Sequence, residues 1–156
     1  MKLIVAIEEN NGIGNLGDLP WETITEDMAQ FMHNTMEDTL IMGKVTWDSL
    51  SRNPLPGRTM VVISRKKIRM PAGHFWYSTP AEAFAKHPQA WVIGGSSIYS
   101  EAMASGKVNE MLVSHIKGMY TCDRHFRFNK DEWKTVETEN FKDFTQVRYV
   151  KESKNT

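Results

Sequence analysis

Residues 92–99 read Val92-Ile93-Gly94-Gly95-Ser96-Ser97-Ile98-Tyr99, and a similar stretch occurs earlier as Ile41-Met42-Gly43-Lys44-Val45-Thr46-Trp47. Each is an apolar run typical of a buried strand, followed by glycine and then by a helical pattern. A helix that begins directly after a strand leaves its first backbone N–H groups free to bind phosphate oxygens, and glycine allows close approach. One such junction is weak evidence, because α/β proteins contain many. Two in a small chain favour a dinucleotide site, although neither matches the Gly-x-Gly-x-x-Gly fingerprint.

Strand and helix patterns alternate along most of the chain. Helices are predicted at about 24–35, 46–50, 80–86 and 96–105. Strands are predicted at 3–7, 39–42, 59–64, 74–77, 89–93, 108–116, 133–139 and 144–151. The short connection at 140–143 indicates a hairpin, and the turn formers at 9–18 indicate a mobile loop. The predicted fold is an α/β sheet, mostly parallel, with an antiparallel edge.

Composition favours one domain over residues 1–156 that binds a small molecule. The 19 basic and 19 acidic side chains cancel, so charge alone attracts neither nucleic acid nor an anionic membrane. The apolar run 1–7 is too short for a signal or membrane segment, and the single Cys122 cannot form an internal disulfide. The five histidines show no metal-ligand spacing. We therefore expect a cytoplasmic monomer without a metal.

Asp27 is the acidic residue that best suits a ligand site. It stands on an otherwise apolar helix face with Phe31 one turn later. Thr23 and Glu26 match a capping box, which gives Glu26 a structural task and leaves Asp27 to point inward, towards a cationic or amidine-like ring. The alternative is a solvated first-turn acid favoured by the helix dipole, and the pattern alone gives the two about equal weight.

Basic and aromatic residues supply further candidates. Arg58 follows a Pro-x-Pro-Gly turn that fixes its backbone, so its guanidinium would clamp a ligand carboxylate; the alternative is a surface salt bridge. Lys44 and Arg65-Lys66 follow predicted strands, where they would bind an extra phosphate, although such residues are more often only solvated. Trp21, at the end of the predicted loop, is expected to face a pocket.

Several groups of residues occur in an order and spacing found in one enzyme family. They are Ile13-Gly14, Leu19-Pro20-Trp21, Asp27 with Phe31 and Asn34-Thr35, Ile41-Met42-Gly43 with Thr46-Trp47, Pro54-Leu55-Pro56-Gly57-Arg58, Ile93-Gly94-Gly95 with Tyr99, and Asp123 with His125-Phe126. With these groups in register over nearly its full length, the chain resembles the dihydrofolate reductase family. No single motif is decisive, but chance agreement of so many is improbable.

The resemblance implies a central mixed, mostly parallel eight-stranded sheet flanked by about four helices. It also implies reduction of 7,8-dihydrofolate to tetrahydrofolate by NADPH. Hydride would pass from the nicotinamide to the carbon of the pterin imine while the imine nitrogen gains a proton. Asp27 would bond the amidine-like edge of the pterin, and a water held near Trp21 would deliver the proton. These two are the expected catalytic residues.

The site residues of the family carry over position by position. The expected substrate-binding residues are Ile4, Val5, Asp27, Met28, Phe31, Leu50, Arg58, Ile93 and Ser114. The expected cofactor-binding residues are Ala6, Ile13, Gly14, Asn15, Leu16, Gly17, Asp18, Gly43, Lys44, Val45, Thr46, Ser64, Arg65, Ser78, Gly94, Gly95, Ser96, Ser97, Ile98 and Tyr99. Among them, Arg58 would clamp the glutamate α-carboxylate, and Lys44, Ser64 and Arg65 would hold the adenosine 2′-phosphate.

The chain departs from the family pattern in three places. Ser114 stands where the family usually has Thr, Lys44 replaces a frequent arginine, and one residue is inserted between Trp21 and Asp27. Two alternatives to the reductase stay open on the sequence. One is an enzyme of the same fold that reduces another heterocycle or a ribosyl-pyrimidine, and the other is a silent binding module that keeps only the dinucleotide site.

Overall fold

The structure, a computed structural model, describes residues 1–14 and 19–152. Within them the chain forms ten strands and four α-helices. In chain order these are β1 (Lys2–Ile7), β2 (Gly12–Gly14), α1 (Thr25–Asn34), β3 (Thr39–Gly43), α2 (Lys44–Ser49), β4 (Thr59–Ile63), β5 (Phe75–Tyr77), α3 (Pro80–Lys86), β6 (Trp91–Val92), α4 (Ser96–Ala104), β7 (Glu110–Ile116), β8 (Arg124–His125), β9 (Trp133–Asn140) and β10 (Phe144–Lys151). A short 3₁₀ helix, Lys130–Glu132, precedes β9.

Eight of the strands form one sheet in the order β5-β4-β3-β6-β1-β7-β10-β9. Neighbours from β5 to β7 pair in parallel, whereas β10 pairs antiparallel with both β7 and β9. β2 and β8 form a separate antiparallel pair. The predicted α/β class, the mostly parallel eight-stranded sheet and the antiparallel C-terminal hairpin are therefore confirmed.

Both faces of the central parallel strands β1, β3, β4, β6 and β7 are buried, whereas β9 is almost fully exposed. Successive side chains of a strand point to opposite faces, and in β1 Leu3, Val5 and Ile7 join one apolar cluster while Ile4 joins the other. Strands covered on both faces read as continuous apolar runs in the sequence. This is why short apolar runs predict most of the strands of this chain.

Helix α1 begins differently from the prediction. Ile24 is the N-cap residue, and its side chain makes no capping hydrogen bond. Thr23 therefore lies one position before the cap, and Glu26 is the second helical residue where a capping box requires the third. The predicted capping box is wrong, and it gives no reason to prefer Asp27 over Glu26.

The predicted loop at 9–18 contains a strand. Gly12–Gly14 forms β2 and pairs with Arg124–His125, so this part of the chain is tied to the segment that precedes β9. A three-residue strand with two glycines offers too few alternating apolar positions to be recognised in the sequence.

The parallel strands end along one edge of the sheet, where β1, β3, β4 and β6 terminate side by side. Ligand clefts of open α/β sheets lie outside this carboxyl edge. No helix in residues 1–14 and 19–152 is both long enough and apolar enough to span a membrane.

Candidate active site

A cavity of about 610 Å³ opens at the carboxyl edge of the sheet. Its walls come from the ends of four parallel strands, the first turns of α2 and α4, and the β2 and β8 segments. The lining residues are Val5, Ala6, Ile13, Gly14, Leu19, Gly43, Lys44, Val45, Thr46, Ser49, Ile63, Ile93, Gly94, Gly95, Ser96, Ser97, Ile98, Tyr99, Asp123 and Arg124.

Most of the predicted cofactor-binding residues lie together on this wall. Thirteen of them line the cavity: Ala6, Ile13, Gly14, Gly43, Lys44, Val45, Thr46, Gly94, Gly95, Ser96, Ser97, Ile98 and Tyr99. Three others, Ser64, Arg65 and Ser78, do not line it but follow β4 and β5 at the same edge of the sheet. Four more, Asn15, Leu16, Gly17 and Asp18, lie outside the described residues.

The two glycine junctions meet at the cavity wall. The backbone N–H of Gly43 donates to the carbonyl oxygen of Gly94 at 2.9 Å. Gly94 has a φ of +126°, and a Cβ there would lie 3.3 Å from Thr46 Oγ1 and 3.4 Å from the hydroxyl oxygen of Tyr99. Both the backbone conformation and the space therefore require glycine. Helix α4 begins two residues later, so its free N–H groups lie at this wall.

Asp27 faces the sheet. Its side chain is partly buried, and Ser114 Oγ donates a hydrogen bond to Asp27 Oδ1 at 2.6 Å. Ser114 is a buried residue of β7, so this bond ties the first turn of α1 to the sheet. A solvated first-turn acid does not fit these observations.

The surroundings of Asp27 favour its neutral form. Burial raises the pKa of the Asp27 carboxyl, and the hydrogen bond from Ser114 opposes this with a smaller effect. Burial first, and then the charge of Asp27, raise the pKa of Tyr99, whose hydroxyl donates to the carbonyl oxygen of Ile4 at 2.8 Å. Tyr99 lines the cavity and Asp27 does not, but the effect of the Asp27 charge on Tyr99 shows that the carboxylate is near this wall.

Four predicted substrate contacts share one apolar cluster, namely Ile4, Phe31, Leu50 and Ile93. Ile93 and the predicted contact Val5 also line the cavity, so this cluster adjoins it. Met28, by contrast, is 43% exposed and belongs to none of the apolar clusters of the described residues. The structure thus brings most of the predicted pterin-contact residues together and leaves Met28 aside.

Arg58 is buried, and its guanidinium holds the end of α1. Its Nε–H donates to Thr35 Oγ1 at 3.3 Å, Nη1 donates to the carbonyl oxygen of Pro56 at 2.6 Å, and Nη2 donates to the carbonyl oxygen of Met32. A guanidinium has five N–H donors. Among the described residues, one donor therefore remains on each terminal nitrogen, which is the pair that a carboxylate clamp uses. The surface salt bridge considered from the sequence is wrong for this part of the chain, because the acceptors of Arg58 there are two carbonyls and a hydroxyl.

Trp21 lies one layer behind the cavity wall. It is buried with Ile116 and Phe144, and its ring contacts Tyr120 edge to face with 5.9 Å between centroids. Ala6 packs against the same cluster and lines the cavity. The structure therefore does not place the indole on the wall where the sequence predicts it.

Sequence reasoning assigned no role to several wall residues, which are Leu19, Ser49, Ile63, Asp123 and Arg124. Asp123 and Arg124 reach the wall because β8 pairs with β2, a pairing that two very short strands do not reveal in the sequence. No group of three or more potential metal ligands is present among residues 1–14 and 19–152.

Glu8 was also missed, and it fixes the position of β2. This carboxylate is buried and accepts backbone N–H bonds from Asn10 at 2.8 Å, Gly12 at 2.7 Å and Tyr120 at 3.2 Å. A carboxylate that accepts several backbone N–H bonds is satisfied without a cation. Glu8 thus joins the two loop segments that carry part of the cavity wall.

Gly12→Ala is expected to lower the free energy of unfolding by about 1–3 kcal/mol, the usual cost of overpacking. A Cβ at position 12 would lie 2.2 Å from Cys122 Sγ, 2.7 Å from Cys122 Cβ and 2.8 Å from Glu8 Oε1. Urea unfolding of Gly12→Ala, Cys122→Gly and the double variant measures the coupling. The Cys122→Gly background removes the first two contacts and should at least halve the cost. An equal cost in both backgrounds would exclude this packing.

Known proteins share both sequence and fold with this chain. The family model described as dihydrofolate reductase matches residues 1–153. Dihydrofolate reductase from Mycobacterium tuberculosis is 43% identical over 103 residues, which are 65% of this chain and 63% of that relative. The enzyme from Buchnera aphidicola subsp. Acyrthosiphon pisum is 32% identical over 141 residues, covering 87% of this chain and 85% of the relative.

A solved structure of similar fold is dihydrofolate reductase from Enterococcus faecalis complexed with NADP(H) and RAB-propyl. It superposes with a TM-score of 0.83 over 97% of this chain and 96% of that chain, at 24% sequence identity. At this identity the likeness concerns the fold. The family itself follows from the sequence match over residues 1–153: the chain belongs to the dihydrofolate reductase family.

Proposed function

We propose that the chain reduces 7,8-dihydrofolate to 5,6,7,8-tetrahydrofolate with NADPH, supplying one-carbon and thymidylate metabolism. The observation that carries the proposal is the hydrogen bond between partly buried Asp27 and buried Ser114, near a cavity at the carboxyl edge of the sheet. A carboxyl that takes up a proton readily, and that binds an amidine-like edge when ionised, is the group that reduction of a pterin imine requires.

The cavity fits a dinucleotide by its geometry. Its volume of 610 Å³ lies in the range of small-molecule sites. Its wall includes the first turn of α4 and Gly94, where a Cβ would fill the space next to Thr46 and Tyr99. NADPH, when bound, supplies the hydride. The pyrophosphate is assigned to Thr46 and residues 94–99, and the nicotinamide to Ala6, Ile13 and Gly14. Residues 15–18 are assigned to the cofactor on the family resemblance alone.

The residues of the chain orient the pterin and favour its protonation. Asp27 holds the amidine-like edge, and Ser114 fixes the Asp27 carboxyl through the hydrogen bond at 2.6 Å. Ile4, Phe31 and Leu50 cover the ring system and exclude water. Trp21, behind Ala6, limits the space in which a proton-delivering water would stand.

The 2′-phosphate is assigned to Lys44, Ser64 and Arg65, with Ser78 beside the adenosine. Lys44 lines the cavity, and its ammonium pairs with Asp48 Oδ2 at 2.5 Å, with the two side chains 47% and 54% exposed. An exposed pair one helical turn apart contributes only about 0.3–0.5 kcal/mol. Lys44 can therefore exchange Asp48 for a phosphate at little cost.

Asp48→Asn is expected to tighten binding of NADPH about threefold to tenfold, since it removes a negative charge next to the phosphate-binding lysine, an effect of about 1 kcal/mol. Fluorescence titration of NADPH and NADH at low salt measures this. The affinity for NADH, which has no 2′-phosphate, should stay the same. Equal tightening of both cofactors would show that Lys44 does not face the 2′-phosphate.

We further propose that the chain acts as a monomer in the cytoplasm, with no nucleic-acid or membrane partner. The balanced charge of 19 basic and 19 acidic side chains supports this.

The test of the function is the loss of reduced-nicotinamide absorbance with and without dihydrofolate. The proposal expects oxidation of NADPH only when dihydrofolate is present. Oxidation with another heterocycle and not with dihydrofolate would indicate a different reductase of the same fold. NADPH binding without oxidation would indicate a silent binding module.

A further inference from the structure

A second cavity, of about 170 Å³, lies between α1 and the antiparallel end of the sheet. All but one of its lining residues are polar: Gln30, His33, Asn34, Leu112, Glu137, Glu139, Gln146 and Arg148. A polar cavity of this size holds several water molecules. None of its lining residues belongs to the cavity assigned above to the cofactor.

Gln146 is the unusual member of this set. The residue is only 8% exposed, and it lines the cavity. Its amide is not among the buried side-chain polar atoms that lack a partner in the described residues, so the amide is open to the cavity. Gln146 lines the cavity, so water is the partner that the geometry provides.

Gln146 is the lining residue next to the Asp27–Ser114 pair, and neither member of the pair lines the cavity itself. Gln146 of β10 lies directly opposite Ser114 of β7, and directly opposite residues project on the same face with Cβ atoms about 4.5–5.5 Å apart. Ser114 Oγ in turn donates to Asp27. On α1, Gln30 and Asn34 lie one and two turns after Asp27 and project on the same side of the helix.

We propose that Gln146, through the water of this second cavity, hydrates the Asp27–Ser114 pair from behind and sets the pH at which Asp27 takes up its proton. Gln146 is therefore a positioning residue, and it contacts neither cofactor nor substrate. The inference rests on the proposed function, because that function depends on the ionisation state of Asp27.

The charges around the cavity explain why a neutral residue stands at this position. Gln146 separates Ser114 from Glu139, which lies directly opposite it on β9. Arg148 pairs with Glu110 at 3.0 Å and with Glu137 at 3.5 Å, which leaves Glu139 as the lining carboxylate without an ion pair among the described residues. His33 on α1 is the other titratable residue that lines the cavity, whereas Tyr99 packs on the opposite face of the sheet. A carboxylate at position 146 would place another negative charge on β10, directly opposite Ser114 on the neighbouring strand.

The test compares Gln146→Glu and Gln146→Leu with the wild type in the pH dependence of kcat/KM for dihydrofolate. In the proposed function kcat/KM depends on the ionisation state of Asp27, so its pH profile has a midpoint at the pKa of this group. A nearby negative charge in the first variant, and lost hydration in the second, both disfavour the ionised form. The midpoint should therefore move up by about 0.5–1 pH unit in each variant.

Thr138→Leu is the matched control, because Thr138 lies on β9 opposite Val147 and faces the other side of the sheet. It should leave the midpoint unchanged. If Gln146→Leu folds poorly, Gln146→Glu and the near-isosteric Gln146→Met carry the test. Midpoints equal to the wild type in the Gln146 variants, or an equal shift in Thr138→Leu, would overturn the proposal.

A measurement without turnover separates this proposal from the proposed function. Unfolding free energies of each protein, with Asp27 and with Asp27→Asn, are compared across pH, so that the difference reports the ionisation of Asp27 alone. If the ionisation midpoint of Asp27 moves up in the Gln146 variants by this measurement too, the role of Gln146 is supported even if dihydrofolate is not reduced. Identical curves would contradict it.

Discussion

Asp27→Asn is expected to lower turnover of dihydrofolate at neutral pH by about 10²–10⁴-fold, the usual contribution of a positioned acid or base. Asparagine keeps the size of the side chain, and its carbonyl oxygen still accepts the hydrogen bond from Ser114. The variant therefore removes the ionisable group with little change in packing. Steady-state rates with NADPH and dihydrofolate measure the loss.

Binding of NADPH serves as the control for this variant. Asp27 does not line the cavity assigned to the cofactor, so the dissociation constant of NADPH should change less than about twofold, a difference below 0.5 kcal/mol. Turnover near the wild-type rate would show that the carboxylate takes no part in the reaction. A large loss of NADPH affinity would instead place Asp27 in the cofactor site.

The same variant has a pH-dependent effect on stability. Burial raises the pKa of Asp27 in the folded protein above its ordinary value in the unfolded chain. The free energy of unfolding of the wild type is therefore highest below the ordinary pKa, and it falls as the pH rises through the raised pKa. The Asp27→Asn variant has no carboxyl to ionise, so its free energy of unfolding does not fall in this way. It should unfold at higher urea concentration than the wild type at neutral pH, and the difference should disappear in acid.

The fold was readable from the sequence because the parallel strands are buried on both faces. The runs 40–42, 60–63 and 91–93 are continuous apolar segments, and glycine directly follows the first and the last of them. The prediction of helix α3 at 80–86 agrees with the structure in both bounds, since Pro80 at the first position and Thr79 at the cap fix its start. Residues within or next to each of these elements were therefore enough to predict it.

The missed features depend on contacts between distant parts of the chain. β2 and β8 are three and two residues long and form only because each supplies the other's hydrogen bonds. Glu8 is buried because it accepts N–H groups from both loops, and its sequence neighbours Glu9 and Asn10 give no indication of this. The partners of Arg58 in α1 were hidden for the same reason, because Met32 and Thr35 precede it by more than twenty residues.

Arg58→Leu is expected to raise the KM for dihydrofolate by about 10- to 100-fold, because a charge-assisted bond to a carboxylate contributes about 1.5–3 kcal/mol. The structure adds a second effect. Loss of the guanidinium leaves the carbonyl oxygens of Pro56 and Met32 without their donor, so the free energy of unfolding should fall by about 1–3 kcal/mol. Urea unfolding and steady-state kinetics measure the two effects separately.

A truncated substrate distinguishes the clamp from the structural role of Arg58. A dihydropterin without the glutamate has no α-carboxylate, so Arg58→Leu should hardly change its KM if the two free N–H groups of the guanidinium bind that carboxylate. Thr35→Val is the matched variant, since it removes the hydroxyl that accepts the Nε–H bond and leaves the guanidinium in place. It should weaken stability more than substrate binding. An equal rise in KM for full and truncated substrates would mean that Arg58 acts only by holding the end of α1.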